Sequence, residues 1–551
     1  MVLSLLSLCA KEVVSDHSSS PLWLRWVPRE LYGPLLEASF AGCRPLAVSE
    51  LVHKWPERRL RVGGQRKRGQ PPPSRLCVQA LLLAVVRGLS DQRCALRVLD
   101  LCGLQVEEGP MVDSMGGWSL TVALCTMIVQ ASAGAHRRDG ERKRFSALHR
   151  DKNVKRERGQ QKKAREACDD NEVVMSCIDG GPSREVLEED YMVQGVRRRM
   201  EMERTLIDEP SSITYREEND ICVQLQVRAD IFVNARSWER VCVALSTPGP
   251  LKLQCRYLRV EEISVSSIRT LLDLLPHEGL LGIDVRYSNL GVTGLAQLLP
   301  MLAAFPDLKS LRLHYCNLDL RRDQPGQQEA LGDLSQGLAQ LQQLRRLSLT
   351  ALRLPGQLRV LLSSLPQPLE VLELPYLSLS PADLAYLSCS HHASSIQQLD
   401  LSENRLDVNT LPSVRRLLSQ ASGTLCHLSL SGCGLNDDLL GLLLPSLGCC
   451  LSLKSLALAL NPLSMAGLQE AVRTAARMPS LRQLLYPNPL EDYQPGLPER
   501  PSSAQLLDWP LDESTDISIT SSRLNKVLQD CGRADILLTC DLLNYDKDLV
   551  D

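Results

Sequence analysis

A pattern of apolar and polar positions returns eight times between Leu280 and Tyr486, at starting points 25 to 36 residues apart. In each unit, apolar residues occupy the first, fourth and sixth positions, and nearly always the eleventh. The spacing of the fourth and sixth positions predicts a short strand, because alternate side chains of a strand point to opposite faces. The units are LLGIDVRYSNL (280–290), LKSLRLHYCNL (308–318), LRRLSLTALRL (344–354), LEVLELPYLSL (369–379), IQQLDLSENRL (396–406), LCHLSLSGCGL (425–435), LKSLALALNPL (453–463) and the shortened LRQLLY (481–486).

This period is typical of leucine-rich repeats. Helical patterns follow the strands, as in LAQLLPMLAAF (295–305) and LPSVRRLLSQA (411–421). A single strand–helix unit cannot bury its own apolar face, whereas a stack of units shares one continuous core. The sequence therefore predicts an α/β leucine-rich repeat solenoid, a horseshoe with a helical N-terminal cap and a mixed C-terminal cap.

The ninth position of each unit is predicted to hold a small polar side chain that bonds the backbone of the turn between units. Two leucines at this position indicate a less regular middle, or a shifted phase. The longest step between units contains LDLRRDQPGQQEA (318–330), which we expect to be a surface loop. The ninth-position residues are Ser288, Cys316, Leu352, Leu377, Asn404, Cys433 and Asn461.

Four regions are expected along the chain. Residues 1–133 form a helical cap with a first repeat strand in CALRVLDLCGLQV (94–106), and 134–218 form a disordered basic insertion. Residues 219–490 contain the repeats, and 491–551 form the C-terminal cap. From 137 to 165, thirteen lysines and arginines face four acidic residues, a balance of +9. Such a run is either a solvated linker or a nuclear-import or polyanion-binding patch.

Composition and motifs give no indication of an enzyme. The chain lacks a GxxxxGK[ST] loop, a GxSxG elbow and an HExxH pair, so no catalytic, metal or cofactor site and no small-molecule substrate are expected. The 19 irregularly spaced cysteines indicate reduced thiols in a cytoplasmic protein. With a net charge of −3 and no window of about 20 apolar residues, neither nucleic acid nor a membrane is favoured as a partner. His391 and His392 are expected to be solvated in a loop.

The first residues, MVLSLLSLCAKEVV (1–14), predict a short amphipathic helix. The order of a small residue, leucine, a small cysteine and an aliphatic residue resembles the BC box of ubiquitin-ligase substrate receptors. The alternative is an ordinary amphipathic helix that packs on the body of the protein. A second segment resembles the cullin-2 box that follows a BC box in such receptors. The candidate docking residues are Ser4, Leu5, Cys9 and Val13 in the first segment and Val27, Pro28 and Leu31 in the second.

Three further features resemble the family of the preferentially expressed antigen of melanoma (PRAME). They are Pro28-Arg29-Glu30-Leu31, the closing Trp55-Pro56, and LLYPNPLEDY (484–493) after the last repeat. The resemblance implies a substrate receptor that docks on elongin B/C and cullin-2. A member of this family that the repeats resemble is associated with negative control of Toll-like receptor/NF-κB signalling through the IκB kinase complex. That association implies an alternative role as a stoichiometric inhibitor that binds a kinase subunit.

The partner is expected on the concave face, which is the face of the sheet whose side chains alternate with the inward leucines. Tyrosine and arginine, which are enriched at protein interfaces, recur there at equivalent places in neighbouring units. We expect a protein partner with an acidic patch facing Arg286 and Arg312; the alternative is an ordinary solvated strand surface. The candidate residues are Arg286, Tyr287, Arg312, His314, Tyr315, Glu373, Tyr376, Asp400 and Glu403.

Overall fold

The computed structural model describes residues 4–15, 27–62, 73–91, 95–104, 119–137, 225–319, 327–512, 517–540 and 542. The chain divides into two units, Met1–Ala133 with Val223–Asp551 and, separately, Gly134–Cys222. Of the second unit only residues 134–137 are described, as the end of a helix that spans 120–137. The rest of the predicted basic insertion lies outside the described residues.

A parallel sheet of 13 strands, in strict chain order, forms the frame of the described chain. Each strand pairs only with its sequence neighbours, as a stack of repeats requires, and the solenoid fold is confirmed. The strands are β1 Arg59–Arg61, β2 Val98–Asp100, β3 Leu225–Asn234, β4 Leu251–Glu261, β5 Gly282–Arg286, β6 Ser310–His314, β7 Arg346–Thr350, β8 Val371–Glu373, β9 Gln398–Asp400, β10 His427–Ser429, β11 Ser455–Ala457, β12 Gln483–Leu485 and β13 Leu537–Thr539.

Helices connect the strands, usually one per repeat. Four precede or flank β2: α1 Leu5–Ser15, α2 Tyr32–Ala41, α3 Pro45–His53 and α4 Arg75–Asp91. The helix 120–137 is α5. The later helices are Trp238–Ser246, Val265–Leu274, Gly291–Leu302, Gln327–Ala339, Leu358–Leu362, Pro381–Cys389, Leu411–Ala421, Asp437–Gly448, Met465–Ala476, Ser503–Asp508 and Ile517–Asp530.

The inward leucines stack in register from strand to strand. Ile283 is paired with Leu311, Leu311 with Leu347, and Leu347 with Leu372. The ladder continues through the fourth position of every later unit as far as β13. All of these side chains up to Leu484 are at most 3% exposed. Each contributes about 1.5–3 kcal/mol of burial free energy, so the ladder forms the core of the solenoid.

At four of the seven ninth positions, the side chain bonds the backbone of the preceding unit, whereas Ser288 bonds the carbonyl oxygen of Arg286 in its own unit. The Nδ2 group of Asn404 donates to the carbonyl oxygen of Leu374 at 2.7 Å, and Asn461 does the same to Leu430 at 2.9 Å. The thiols of Cys316 and Cys433 donate to the equivalent carbonyls, those of Val285 and Leu401. Leu352 and Leu377 cannot donate, and both are buried. The units of β7 and β8 thus lack this hydrogen bond between units at their own ninth positions.

Three local features differ from what the repeat pattern shows. Strand β1 lies outside the eight units and pairs with β2 through Leu60 and Leu99. Strand β4 runs from Leu251 to Glu261, and its second half pairs with β5. The predicted surface loop 318–330 is partly helical, because a helix begins at Gln327; residues 320–326 lie outside the described part.

The expectation for His392 is wrong. Its ring is fully buried, whereas His391 is exposed. The backbone N–H of Leu369 lies 3.3 Å from His392 Nδ1, and Nε2 lies 3.1 Å from the carbonyl oxygen of Leu362. Because a backbone N–H donates to Nδ1, the ring is held as the neutral Nε2–H tautomer, and burial lowers the pKa of His392. The imidazole thus connects the backbone of Leu362 to that of Leu369, in the turn before β8.

The C-terminal loop, residues 493–512, folds back on itself after the last full repeat. Tyr493 and Leu511 form an antiparallel bridge. The Trp509 indole N–H donates to the carbonyl oxygen of Gln494 at 3.1 Å, and the Tyr493 hydroxyl donates to that of Leu506 at 3.1 Å. The side chain of Leu506 is buried. The helix Ile517–Asp530 and the strand β13 follow this loop.

Candidate interaction surfaces

Helix α1 packs through one side and leaves most of its apolar side chains exposed, including Leu6 and Leu8 at 49% and 48%. Leu5 is 77% exposed and Val13 46%, and Cys9 is also exposed. Ala10 and Val14, on the opposite side of the helix, are 4% exposed and belong to the main core. This division follows from helical geometry, because residues four apart lie on the same face.

Ser4 precedes α1 and caps it. Its hydroxyl oxygen accepts a hydrogen bond from the backbone N–H of Ser7 at 3.2 Å, and its carbonyl oxygen accepts one from Leu8 at 3.1 Å. Such a cap satisfies an N–H group that has no partner within the helix. The predicted small residue of the docking motif therefore begins the helix that carries the rest.

The second docking segment is less exposed. Pro28 lies at the surface before a 3₁₀ turn over Arg29–Leu31, with the Leu31 N–H donating to the Pro28 carbonyl oxygen at 3.1 Å. Val27 and Leu31 are partly buried and pack against the main core. Val27 therefore has a structural role that exposed α1 residues such as Leu5 do not share.

Trp55, from the Trp55-Pro56 pair noted in the sequence, connects the N-terminal helices to the sheet. Its ring is 8% exposed and contacts Tyr32 edge-on, with 6.1 Å between ring centroids. Its indole N–H donates to the carbonyl oxygen of Arg59 at 3.1 Å, at the start of β1. The cap is thus joined to the first strand of the sheet by a buried aromatic residue.

On the concave face, the charge of Arg286 is neutralised within its own strand. Its guanidinium donates to both carboxylate oxygens of Asp284 at 2.7–2.9 Å, and this bond is the main cause of its raised pKa. Arg312 forms no ion pair with any described residue. His314 Nε2 lies 4.0 Å from Oδ1 of Asp284, and burial lowers the pKa of His314. The strands β5 and β6 therefore offer one uncompensated positive charge, fewer than the sequence suggested.

Three predicted tyrosines occupy the eighth position of their units, on β5, β6 and β8, and share an uncommon backbone conformation. Tyr287, Tyr315 and Tyr376 have φ values of 49°, 53° and 59°, in the left-handed region. They are 54%, 46% and 49% exposed. The rings of Tyr287 and Tyr315 are stacked, with 5.3 Å between centroids and 18° between planes. The eighth position of the repeat thus builds an aromatic row at the strand exits.

The remaining candidates lie on β8 and β9. Glu373 accepts a hydrogen bond from Gln398 at 2.7 Å. Glu403 accepts hydrogen bonds from the hydroxyls of Ser503 and Tyr376, and burial raises its pKa. Asp400, half-buried, accepts a bond from the backbone N–H of Ser402 at 2.9 Å. Glu403 therefore ties the aromatic row to the C-terminal loop.

The concave face is closed on strands β10 to β12. Ser429 and Ser455 are 7% and 0% exposed, and Ala457, Ala459 and Leu485 form a second small buried cluster. These side chains alternate with the core leucines, so they lie on the concave side of the sheet. The usable part of this face is therefore confined to the strands before β10.

Sequence reasoning missed two residues of this surface. Ala351 holds the eighth position between Tyr315 and Tyr376, with φ 56°, and interrupts the aromatic row. Ser503 belongs to the C-terminal loop but bonds Glu403, a hundred residues earlier. Aligning the eighth positions of the units would have found Ala351. No feature of the sequence points to the contact of Ser503.

Comparisons with known proteins decide the family. The model of the PRAME N-terminal domain matches residues 3–108, and that of the PRAME C-terminal domain matches residues 243–498. Leucine-rich repeat-containing protein 14 of Xenopus laevis is 34% identical, over 98% of this chain and 97% of that protein. Its Homo sapiens counterpart is 30% identical over the same shares. The chain belongs to the PRAME family.

As a PRAME-family protein, the chain shares its repeat architecture with a group whose members are generally non-catalytic scaffolds. A solved leucine-rich repeat protein, LegL7 of Legionella pneumophila, is 17% identical with a TM-score of 0.34, over 56% of this chain and 91% of that chain. Within the described ranges, no group of three or more His, Cys, Asp or Glu side chains is placed to hold a metal ion. Among the helices that the structure describes, none is long and apolar enough to cross a membrane.

Proposed function

We propose that this PRAME-family chain is the substrate-recognition subunit of a cullin-2 elongin BC ubiquitin ligase. The exposed row of Leu5, Cys9 and Val13 on α1 carries the proposal. A helix that docks in a groove of a partner needs apolar side chains along one face that its own protein leaves open, and residues four apart share a face. Here Ala10 and Val14 anchor the opposite side, so the row is held in place without being covered.

The chemistry of the row suits a close helix contact. Leu5 is the most exposed large apolar side chain of the helix and can fill a pocket. Cys9 is small, so a partner helix can approach the backbone there. Elongin C would take this row, and Pro28 would lie on the cullin-2 side, with Val27 and Leu31 supporting the segment from the core. The concave face would present the substrate in the cytoplasm, with nuclear access if the basic run 137–165 acts as an import signal.

A pull-down from cell extract with quantitative mass spectrometry tests this role. The variant Leu5→Arg/Cys9→Asp places two charges in the row and is expected to lose elongin B, elongin C and cullin-2, because a buried unpaired charge costs several kcal/mol. Lys11→Glu, on the same helix but outside the row, is the matched control and should retain them. Absence of ligase subunits from the wild-type sample would refute the proposal.

Val27→Asp is a poor probe of docking. Val27 packs against the main core, so an aspartate there is expected to destabilise the cap whether or not cullin-2 binds. Thermal unfolding separates the two effects: Leu5→Arg/Cys9→Asp should leave the transition unchanged, since both residues are exposed. A matching loss of the transition would make α1 a structural cap only.

The alternative is a stoichiometric inhibitor that binds an IκB kinase subunit on the concave face and acts without a ligase. This role requires the half-exposed tyrosines and Arg312 but not the row on α1. It predicts that Leu5→Arg/Cys9→Asp suppresses an NF-κB reporter as strongly as wild type. If that variant is inactive, suppression depends on the ligase contact and the inhibitor role fails.

A further inference from the structure

The aromatic row on the concave face is interrupted at one position. Tyr287, Tyr315 and Tyr376 occupy the eighth position of their units, but Ala351 occupies it on β7. Neighbouring strands lie about 4.8 Å apart, so Tyr315 and Tyr376 stand about 10 Å apart with only a methyl group between them. The floor of this gap is formed by β7, whose Ser348 and Thr350 are small and buried.

The orientation of the first wall is fixed by its neighbour. The ring of Tyr315 stacks on Tyr287 with the planes 18° apart, so its other face is turned along the sheet toward the place above Ala351. The second wall is fixed differently, because the Tyr376 hydroxyl donates to Glu403, which also accepts from Ser503. Both walls are therefore held in position before any ligand arrives, which lowers the entropy cost of binding.

The gap admits a flat group about 5 Å from each ring, the distance at which Tyr287 and Tyr315 already stack. A cation is favoured over a neutral ring, because the faces of aromatic rings attract positive charge within about 6 Å. Glu403 accepts hydrogen bonds from the hydroxyls of Ser503 and Tyr376. Both donors are neutral, so they do not cancel the negative charge of Glu403.

The charges around the gap agree with a cationic ligand. The concave positions of β8 and β9 carry Glu373, Asp400 and Glu403 and no lysine or arginine. On the other side, Arg286 is neutralised by Asp284, and Arg353, near the gap, pairs with Asp319 at 3.3 Å. Arg312 is three residues before Tyr315, about 10 Å back along the strand. The charges at the C-terminal ends of these strands therefore favour a positively charged ligand in the gap.

We propose that the gap above Ala351 binds an arginine side chain of a partner polypeptide, with the guanidinium stacked between Tyr315 and Tyr376. Arginine is both planar and permanently charged, whereas lysine has a compact ammonium that cannot cover two ring faces. This inference names the partner chemistry of the concave face, and it rests on the proposed function only for the assignment of that face to the substrate. It reverses the expectation of an acidic partner at this place.

Substitutions at Ala351 test the gap without removing its walls. Ala351→Tyr completes the row, and the backbone there already has the φ value that three tyrosines adopt in their own units. Ala351→Gly keeps the gap open and is the matched control. Tyr376→Phe is a second variant, which retains the ring but loses the hydrogen bond to Glu403.

The probe is the peptide Ac-Gly-Ser-Arg-Ser-Gly-NH2, with versions in which citrulline, lysine or tyrosine replaces the arginine. Full-length protein labelled with 3-fluorotyrosine is titrated, and the ¹⁹F signals of Tyr315 and Tyr376 are assigned by single Tyr→Phe substitutions. We expect the arginine peptide to shift both signals and to bind at least about tenfold more tightly than the citrulline and lysine peptides. Binding should be lost in Ala351→Tyr, retained in Ala351→Gly and weakened in Tyr376→Phe.

Equal binding of the citrulline peptide, tighter binding of the tyrosine peptide, or unchanged binding by Ala351→Tyr would each overturn the proposal. Elongin capture is measured on the same variants. Because α1 is not altered, Ala351→Tyr should still capture elongins if the ligase role is correct. Loss of arginine binding and loss of ligase docking are therefore separate outcomes.

Discussion

Strands β5–β9 and β10–β12 share one leucine frame but differ in the side chains that face away from it. In the first group, Tyr287, Tyr315 and Tyr376 are about half exposed beside charged residues. In the second, Ser429 and Ser455 are buried, and a small apolar cluster closes the surface. The inward positions fix the fold and are nearly interchangeable, whereas the outward positions decide which part of the sheet is open to a partner.

The C-terminal loop belongs to the closed group and stops at its border. Ser503 bonds Glu403 at the exit of β9, and Glu403 in turn accepts from Tyr376 at the exit of β8. One carboxylate thus joins the loop to the last tyrosine of the open group. The difference between the two groups therefore depends on a contact that spans a hundred residues of sequence.

The largest effect is expected in the shared frame next to this border. Asn404 donates to the carbonyl oxygen of Leu374 and accepts from the backbone N–H of Leu379 at 3.1 Å, both in the preceding unit. Asn404→Ala leaves these buried groups without partners, so we expect the free energy of unfolding to fall by about 3–5 kcal/mol. Urea denaturation followed by circular dichroism measures the change.

The control for this prediction is Asn409→Ala in the same unit. Asn409 is exposed, and its substitution should change the free energy of unfolding by less than about 0.5 kcal/mol. If the two variants were equally stable, the ninth-position asparagine would not hold the units together. The frame would then rest on the leucine ladder alone.

The next effect concerns the loop that marks the closed group. Leu506 is 3% exposed and its neighbour Leu507 is 63% exposed. Leu506→Asp places an unpaired charge in a buried site, so we expect the loop to open and amide hydrogen exchange in 493–512 to rise about 100-fold. Exchange in β5–β8 should not change. Leu507→Asp, the matched control, should leave the loop closed; similar exchange in the two variants would contradict its packing.

Sequence periodicity predicts the frame well, because each unit repeats the same burial requirement. It located the strands from β5 to β12, and Leu411–Ala421 matches the predicted helix at both ends. It failed at β1, where Leu60 is the only buried residue of a three-residue strand and gives no period. It also failed for His392 and Ser503, whose partners lie in other repeats. Such contacts depend on how units stack, which a one-dimensional pattern does not contain.

The smallest expected effect concerns two equivalent positions, one in each group. Exchanging alanine and glycine there should change the free energy of unfolding in opposite directions. Ala351 and Gly432 both hold the eighth position, with φ 56° and 64°. A left-handed conformation costs a non-glycine residue about 1–2 kcal/mol, partly offset by the greater flexibility of glycine in the unfolded chain. Ala351→Gly should therefore raise the free energy of unfolding by about 0.5–1 kcal/mol.

Gly432→Ala should lower the free energy of unfolding, and by more than the gain at Ala351. Its new Cβ would clash with Oε1 of Glu403, so the carboxylate must move and strain its bonds with Ser503 and Tyr376. No described atom lies within 4 Å of the Cβ position at Gly434, two residues on, although its φ is 72°. Gly434→Ala thus measures the backbone cost alone. If Gly432→Ala and Gly434→Ala were equally destabilising in urea, Glu403 would not be held in place, and the border between the two groups would be looser than its contacts imply.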